Sequence, residues 1–391
     1  MNVQFPVDRV EKRGALLKAV DSVREILLAH AKESEVARTL SPASVAALTD
    51  SGLFAMKCPA ELGGAEADPV TQIEVIEATS YIDASAGWCL AICNGGLAIV
   101  GSLLPQPAVG RVFAGDRPPR IAGSTMAGTA IGVDGGYRIS GNWSWASGIH
   151  HAEWLLAITL VEADGGNASY PRMTVFPASQ AKIHDNWHVS GLEGTGSSDF
   201  SVSDLFVPEA FTIDLRKWEP KRGGPLYQLG RPGLVINELA GFALGVARRA
   251  LDGILNLAKT KRRGYGKQKT LAEREVFQRA IGEGDLRFRA ARGLVIEIFD
   301  NAWHTVCAGK KPGPELQIEM RSVTTLVTDV ALDITTLAFR YGAGSAIHLS
   351  SILQRCLRDL QAGAAHLMVS DASYELHGQC LLGIADVDPL A

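Results

Sequence analysis

Residue periodicity changes twice along this chain, near Gly115 and near Gly224, and these changes restrict the fold more than any other feature. Up to about Ala114 the pattern is helical. Ala15–Lys32 places Leu16, Leu17, Val20, Val23, Ile26, Leu27 and Ala31 on one stripe with charges opposite. Ser41–Pro42 offers a cap and a first-turn proline for a helix running to about Leu48. Pro69–Ala84 and Ala86–Leu104 read as two more helices, the second nearly all apolar and therefore buried.

Between Gly115 and Gly224, Gly, Ser and Thr become frequent and alternation of period two takes over. Tyr137–Ser140, Trp154–Val161, Met173–Phe176 and Phe200–Ser203 read as strands. Asp134-Gly-Gly136 and Asp164-Gly-Gly166 read as turns between them. From about Pro225 the chain is helical again, with candidate helices Leu234–Lys261, Leu271–Ala308, Glu315–Arg340 and Ser345–Leu376. The expected fold class is α+β. Its three expected domains are an N-terminal helical domain (1–114), a β domain (115–224) and a C-terminal four-helix bundle (225–391).

Composition excludes more than it selects. A net charge of −4 with scattered Lys and Arg gives no nucleic-acid or polyanion surface. Cys58, Cys89, Cys93, Cys307, Cys356 and Cys380 form no CxxC pair. Cys89 and Cys93 stand four apart but lack companions for a metal set, so no metal is expected and the thiols read as reduced and buried. Residues 1–13 are polar, without the apolar core of a signal peptide. The apolar stretches, such as Leu234–Val246, are interrupted and look too short to span a bilayer. A cytoplasmic protein with no membrane or nucleic-acid partner is the expectation. No GxGxxG stands before a helix, so no NAD(P)H domain is expected either.

Several local motifs, in this order, resemble the acyl-CoA dehydrogenase superfamily over nearly the whole chain. Gly141-Asn-Trp-Ser-Trp-Ala-Ser-Gly148 with His151-Ala-Glu-Trp154 looks like the family's strand and turn beside a flavin ring. Gly191-Leu-Glu-Gly-Thr-Gly196 with Phe200–Pro208 is similar to the segment closing the β domain. Arg262-Arg-Gly-Tyr-Gly266, Arg340-Tyr-Gly-Ala-Gly344 and Arg358-Asp359 complete the resemblance. It implies an acyl-CoA-dehydrogenase-like fold, a homotetramer, and a flavin between the β domain and the bundle that also touches a neighbouring subunit.

The superfamily runs two chemistries. Dehydrogenases need a carboxylate to take a proton alpha to a thioester. Here no carboxylate stands between Asp359 and Asp371. Glu238, one turn from the position used by a subset of dehydrogenases, keeps that chemistry open as an alternative. His366 occupies the stretch instead and resembles the flavin-dependent monooxygenase branch, which includes hydroxyphenylacetate hydroxylase, dibenzothiophene monooxygenase and indole oxygenases. An imidazole could deprotonate a phenol or indole, or hydrogen-bond an oxygen adduct. Its plain alternative is a structural histidine on a buried helix face.

The resemblance also distributes the remaining roles. Ser147 would sit at flavin N5, and Trp145 would pack on the ring. Ser124 and Thr125, on a loop, would touch the isoalloxazine edge. Arg262, Tyr265 and Phe277 resemble a clamp on a neighbouring subunit's flavin. Trp143, Trp145 and Ser147 would share one face of a strand. Trp88, Cys93, Asn94 and His366 would line the substrate site, with His366, Ser147 and Asn94 as the catalytic set; Trp88 and Cys93 could equally be core. Asn94 stands where several members have histidine, which points away from a two-histidine phenol mechanism.

The expected reaction is transfer of one oxygen atom from O2 to a small aromatic or heteroaromatic substrate through a C4a-hydroperoxyflavin. Reduced flavin (FMNH2 or FADH2) would come from a separate NAD(P)H:flavin reductase. A non-catalytic flavin-binding protein is the third reading.

Overall fold

The computed structural model describes residues 3–162, 169–262, 269–384 and 387–390. Packing divides the chain into two compact units. The first comprises Met1–Asp68, Trp88–His188 and Glu193–Gly230, and the second Pro69–Gly87, Val189–Leu192 and Arg231–Ala391.

In the first unit, α1 (Arg9–Ala37) starts at Asp8, whose carboxylate accepts from the Val10 and Glu11 amides at 2.9 and 3.0 Å. It stops at Arg38 in the left-handed conformation. Ser41 caps α2 (Pro42–Asp50), accepting from the Ser44 amide at 3.1 Å. α4 (Ala84–Leu103), most of which belongs to this unit, and α5 (Gln106–Val112) complete its helices.

Seven strands form one sheet in the order β5-β6-β2-β1-β3-β4-β7. They are β1 (Ile121–Val133), β2 (Gly136–Trp143), β3 (Trp154–Val161), β4 (Tyr170–Pro177), β5 (Lys182–Ile183), β6 (Phe200–Pro208) and β7 (Thr212–Asp214). The β1–β3 pair is parallel and every other pair antiparallel. One core joins Leu97, Val100 and Leu103 of α4 to Ile121, Leu155, Phe176 and Phe200 of the sheet. Trp143 is fully buried there, stacked on Phe200 with 5.3 Å between ring centroids, and its indole N–H donates to the Ile158 carbonyl at 2.8 Å. Burying rings of this size contributes roughly 2–3 kcal/mol each.

β1 is the longest strand, and nothing in the periodicity announces it. Apart from Ile121 and Met126, the residues of Ile121-Ala-Gly-Ser-Thr-Met-Ala-Gly are small or polar, and they do not alternate. Partners on both sides, not intrinsic preference, hold it extended.

In the second unit, α3 (Pro69–Ile82) packs along α6 (Gly233–Ala258), α6 and α7 (Glu275–Cys307) pack on α8 (Pro314–Gly342), and α9 (Ile352–Ala364) packs on α6 and α8. The α3–α6 contact is close because Gly241 and Gly245 stand one turn apart. A Cβ there would lie 2.5 Å from the Ile73 carbonyl oxygen and 2.3 Å from that of Glu77. Arg292 of α7 spans back to α3, with Nε 3.0 and 2.9 Å from the two Glu77 oxygens and Nη2 3.1 Å from Glu74.

The last expected helix, Ser345–Leu376, is in fact broken. α9 ends at Ala364, a short 3-10 turn covers Leu367–Val369, and α10 runs Ala372–Leu381. His366 sits in the break with an extended backbone. Two helices, α4 and α8, are long and apolar enough to cross a membrane by composition, contrary to the expectation from the sequence. Their apolar windows are 78% and 56% buried inside the protein, as core helices are.

Candidate active site

The antiparallel register of β1 and β2 sets the start of β1 beside the end of β2. Both strands are irregular there. A bulge between Ser124 and Ala127 interrupts the β1–β3 pairing and leaves Thr125 and Met126 exposed, while Ser124 turns in and accepts from the Met126 amide at 3.2 Å. The expected loop at Ser124 and Thr125 is therefore a bulged strand.

β2 ends at Trp143, so Trp143, Trp145 and Ser147 do not share a strand face as expected. Trp143 points into the core. Trp145 has a left-handed backbone (φ 64°) and is 64% exposed. Asp199 holds this conformation, accepting from the Ser144 hydroxyl at 3.0 Å and the Trp145 amide at 3.3 Å. The ring is thus held in an exposed position by a left-handed backbone and the Asp199 carboxylate.

Ser147 lies just behind it and is buried. Its Oγ accepts from the indole N–H of Trp88 at 2.9 Å and meets the Ser197 Oγ at 2.7 Å. Ser197 in turn meets the Thr195 Oγ1 at 2.7 Å. Thr195 supports the turn through its carbonyl, which accepts from the Gly148 amide at 2.9 Å and the Cys89 thiol at 3.6 Å. A hydroxyl has one donor and two acceptor positions. Ser147 uses two of its three, leaving one for a ligand. A nucleophilic serine needs a base on its hydroxyl. The partners of Ser147 are an indole and a second hydroxyl, and neither can act as that base.

Asn94 does not join this group. It is fully buried, its Nδ2 donates to the Leu53 and Leu90 carbonyls, both at 3.0 Å, and its Oδ1 accepts from the Lys57 amide at 3.0 Å. Both donors are occupied, so the amide braces the Leu53–Ala55 turn against α4 and has no N–H to offer a substrate. Cys93 is likewise 2% exposed, and its sulfur lies against Gly148. Both side chains are packed inside the first unit.

His151 has both ring nitrogens buried without a hydrogen-bond partner, and desolvation aided by Arg120 pushes its pKa down to about 4. His366, in the second unit, is also pushed down to about 4, by burial. Both are neutral when folded at pH 7, whereas unfolded histidine protonates near 6.5. The unfolded chain therefore binds more protons below that value. This stabilisation is complete above pH 6.5 and is lost as pH falls toward 4, by roughly 3 kcal/mol per histidine. Buried Asp359, raised to about 6, works in the opposite direction and offsets part of the loss. The urea midpoint is expected to fall between pH 7 and pH 4.5, and His151→Gln to flatten the fall. A midpoint unchanged over that range in the parent protein would contradict this account.

In the second unit, the His366 Nδ1 accepts from the Met368 amide at 3.3 Å. In a neutral ring the proton then resides on Nε2. Asp359, buried, accepts from the Leu192 amide at 2.8 Å, and a Cβ on Gly191 would lie 2.0 Å from the Arg358 carbonyl oxygen. Glu238 is buried within α6. Phe277 is buried with its edge against Tyr341, at 5.1 Å between centroids. Arg262 is exposed and bridges to Thr270 through its backbone, and Tyr265 lies outside the described residues. Among the described residues no group of three or more His, Cys, Asp or Glu could hold a metal ion.

Sequence reasoning missed Ser197, Thr195 and Asp199. The one available signal was the density of small hydroxyls in Thr195-Gly-Ser-Ser198, which reads equally well as a plain turn.

Comparison with known proteins agrees with this architecture. Residues 13–102 match the family model described as acyl-CoA dehydrogenase, N-terminal domain, and residues 238–371 match that of its C-terminal domain. The indole-3-acetate monooxygenase of Pseudomonas putida is 28% identical over 97% of this chain and 96% of its own length. The oxygenase subunit HsaA of a flavin-dependent monooxygenase from Mycobacterium tuberculosis is 27% identical over 97% of this chain and 99% of its own. Among solved structures, the 3-HSA hydroxylase of Rhodococcus sp. RHA1 superposes with a TM-score of 0.89 at 26% identity, covering 96% of this chain and 99% of that one. The chain belongs to the acyl-CoA dehydrogenase family, in its flavin-dependent monooxygenase branch. It is an oxidoreductase.

Proposed function

We propose that this protein is the oxygenase component of a two-component monooxygenase acting on a small aromatic or heteroaromatic substrate. The observation that carries this reading is the Trp145–Ser147 turn: an exposed indole on a strained backbone, and behind it a buried hydroxyl with one hydrogen-bonding position left. That pairing fits a flavin ring, which offers a flat π-face to the indole and a polar N5 edge to the hydroxyl. When bound, reduced flavin supplies the two electrons and the carbon at which O2 is activated.

The chain's own residues do the rest. Trp145 stacks on the ring and helps exclude water. Ser147 holds the N5 side, with Ser124 and the exposed Thr125 at the bulge along the ring edge. Arg262, Tyr265 and Phe277 are proposed to contact the flavin of a neighbouring subunit in a homotetramer. Val276, Leu286 and Leu294 leave apolar surface on α7 that such association would cover. His366, its ring kept neutral at working pH by burial, is proposed to serve the oxygen-transfer step. Trp88 acts through Ser147 and not on the substrate directly.

The separate NAD(P)H:flavin reductase is supported by the name of the M. tuberculosis relative, an oxygenase subunit. The aromatic substrate class is supported by the P. putida relative, named for indole-3-acetate. Both FMNH2 and FADH2 remain admissible donors, with O2 as co-substrate. The cytoplasm is the proposed location.

The two chemistries of the family are separated by feeding the protein each set of reactants. Reduced flavin, O2 and indole-type or phenolic substrates should give oxygenated product containing one atom from 18O2. Bleaching of bound oxidised flavin by an acyl-CoA without O2, with no labelled product in the first assay, would overturn the proposal in favour of a Glu238-type base.

A further inference from the structure

We propose that Trp88, Ser197 and Thr195 are positioning residues forming a reversible hydroxyl chain that lets Ser147 switch between hydrogen-bond donor and acceptor. The inference rests on the reading in which Ser147 faces N5 of the flavin.

The Trp88 indole can only donate, so it always occupies one acceptor position of Ser147, at 2.9 Å. The remaining members are three hydroxyls in a row: Ser147 to Ser197 at 2.7 Å, and Ser197 to Thr195 at 2.7 Å. Each link is short, and either oxygen can be its donor. All three residues are buried, so water does not compete for the links.

Two concerted arrangements order the row, the second of which turns the Thr195 O–H out of it. In one, Thr195 donates to Ser197 and Ser197 to Ser147. Both acceptor positions of Ser147 are then filled, and its only remaining capacity is an O–H directed at the ligand. In the other, Ser147 donates to Ser197 and Ser197 to Thr195. Ser147 then has one lone pair left for the ligand and no proton. Rotation of three hydroxyls converts one into the other without moving a heavy atom, and the indole N–H holds Ser147 Oγ in place in both.

Flavin N5 makes the same change. Oxidised, it is a bare acceptor; reduced, it carries a hydrogen and donates. A serine held as a donor only would match the oxidised ring and oppose the reduced one. A chain that reverses matches both, and keeps the N5 proton bonded in the form that meets O2. Ser197 is the member on which reversal depends, because it alone touches both other hydroxyls. Removing it leaves Ser147 with no inward acceptor, so its O–H is left to the ligand. Removing the Trp88 N–H loosens Oγ without preventing reversal.

The test is equilibrium titration of the intact protein with oxidised FMN and, anaerobically, with FMNH2, each followed by protein fluorescence. Ser197→Ala is expected to lower the preference for FMNH2 over FMN by roughly three- to tenfold, and Ser197→Thr, which keeps the hydroxyl, to restore it. Trp88→Phe is expected to weaken both forms by a similar factor and leave the preference intact. Should Ser197→Ala fail to fold, Ser197→Cys carries the same expectation at smaller size, because a thiol is the weaker partner. A changed preference in Ser147→Ala with none in Ser197→Ala would overturn the chain and leave the flavin reading standing. An unchanged preference in Ser147→Ala would remove the reading itself, and the chain with it. Trp88→Phe with parental affinity for both forms would remove Trp88 from the assignment.

Discussion

His366→Ala is expected to leave flavin binding within about twofold while lowering oxygenated product per O2 consumed by roughly ten- to a hundredfold, the difference appearing as hydrogen peroxide. That range is what removal of one well-placed donor or acid–base group costs. The direction follows from the role proposed for this residue. His366 lies in the break between α9 and α10, its Nδ1 engaged by the Met368 amide, so its hydrogen is carried on Nε2. Burial holds the ring neutral down to about pH 4. Coupling should therefore be flat from pH 6 to pH 9 as far as this residue is concerned. A coupling curve bending near pH 6.5 and abolished in His366→Ala would instead mean a freely titrating base. Unchanged product yield in the variant would clear His366 of any role in the chemistry.

Ser147→Ala should act on a different step. If Ser147 holds N5 as proposed, its loss removes the hydrogen bond that would steady the N5 proton, and peroxide is expected to be released about five- to a hundredfold faster in the absence of substrate. A buried hydrogen bond to a reacting group spans that range. The same variant strips partners from the Trp88 indole N–H and the Ser197 hydroxyl, so a stability loss of roughly 1–3 kcal/mol accompanies it. Peroxide release measured at a temperature where both proteins are folded separates the two effects. Parental decay in Ser147→Ala would place the hydroxyl away from N5.

Some of this was readable from the sequence, for physical reasons that differ by element. The amphipathic stripes of α1, α6, α7 and α8 are long, and α1 and α8 open on a capping Asp8 and a first-turn Pro314, so their existence followed from periodicity. β3 was legible because Trp154–Val161 is a short apolar run, broken only by Thr159. β1 was not, because a strand of Gly, Ala, Ser and Thr owes its conformation to its neighbours. The break at His366 was hidden for a related reason: Ala362-Gly-Ala-Ala365 has no proline or polar cluster to announce a helix end.

Within the site, Ser147 and Trp145 came from resemblance, and the geometry supplied what resemblance lacks. Trp88 and Ser147 are 59 residues apart in the chain, and no local pattern pairs them. Asn94 illustrates the reverse. Its residue type suggested a substrate contact, but a helix side chain with three backbone partners within reach satisfies those first.

Rapid mixing of the protein–FMNH2 or protein–FADH2 complex with O2 addresses the central assignment most directly. The account predicts a transient absorbance of C4a-hydroperoxyflavin that outlives the oxidation of free reduced flavin and disappears faster when an oxidisable aromatic substrate is present. Oxidation to flavin and peroxide at the rate of the free cofactor, with no transient, would contradict it.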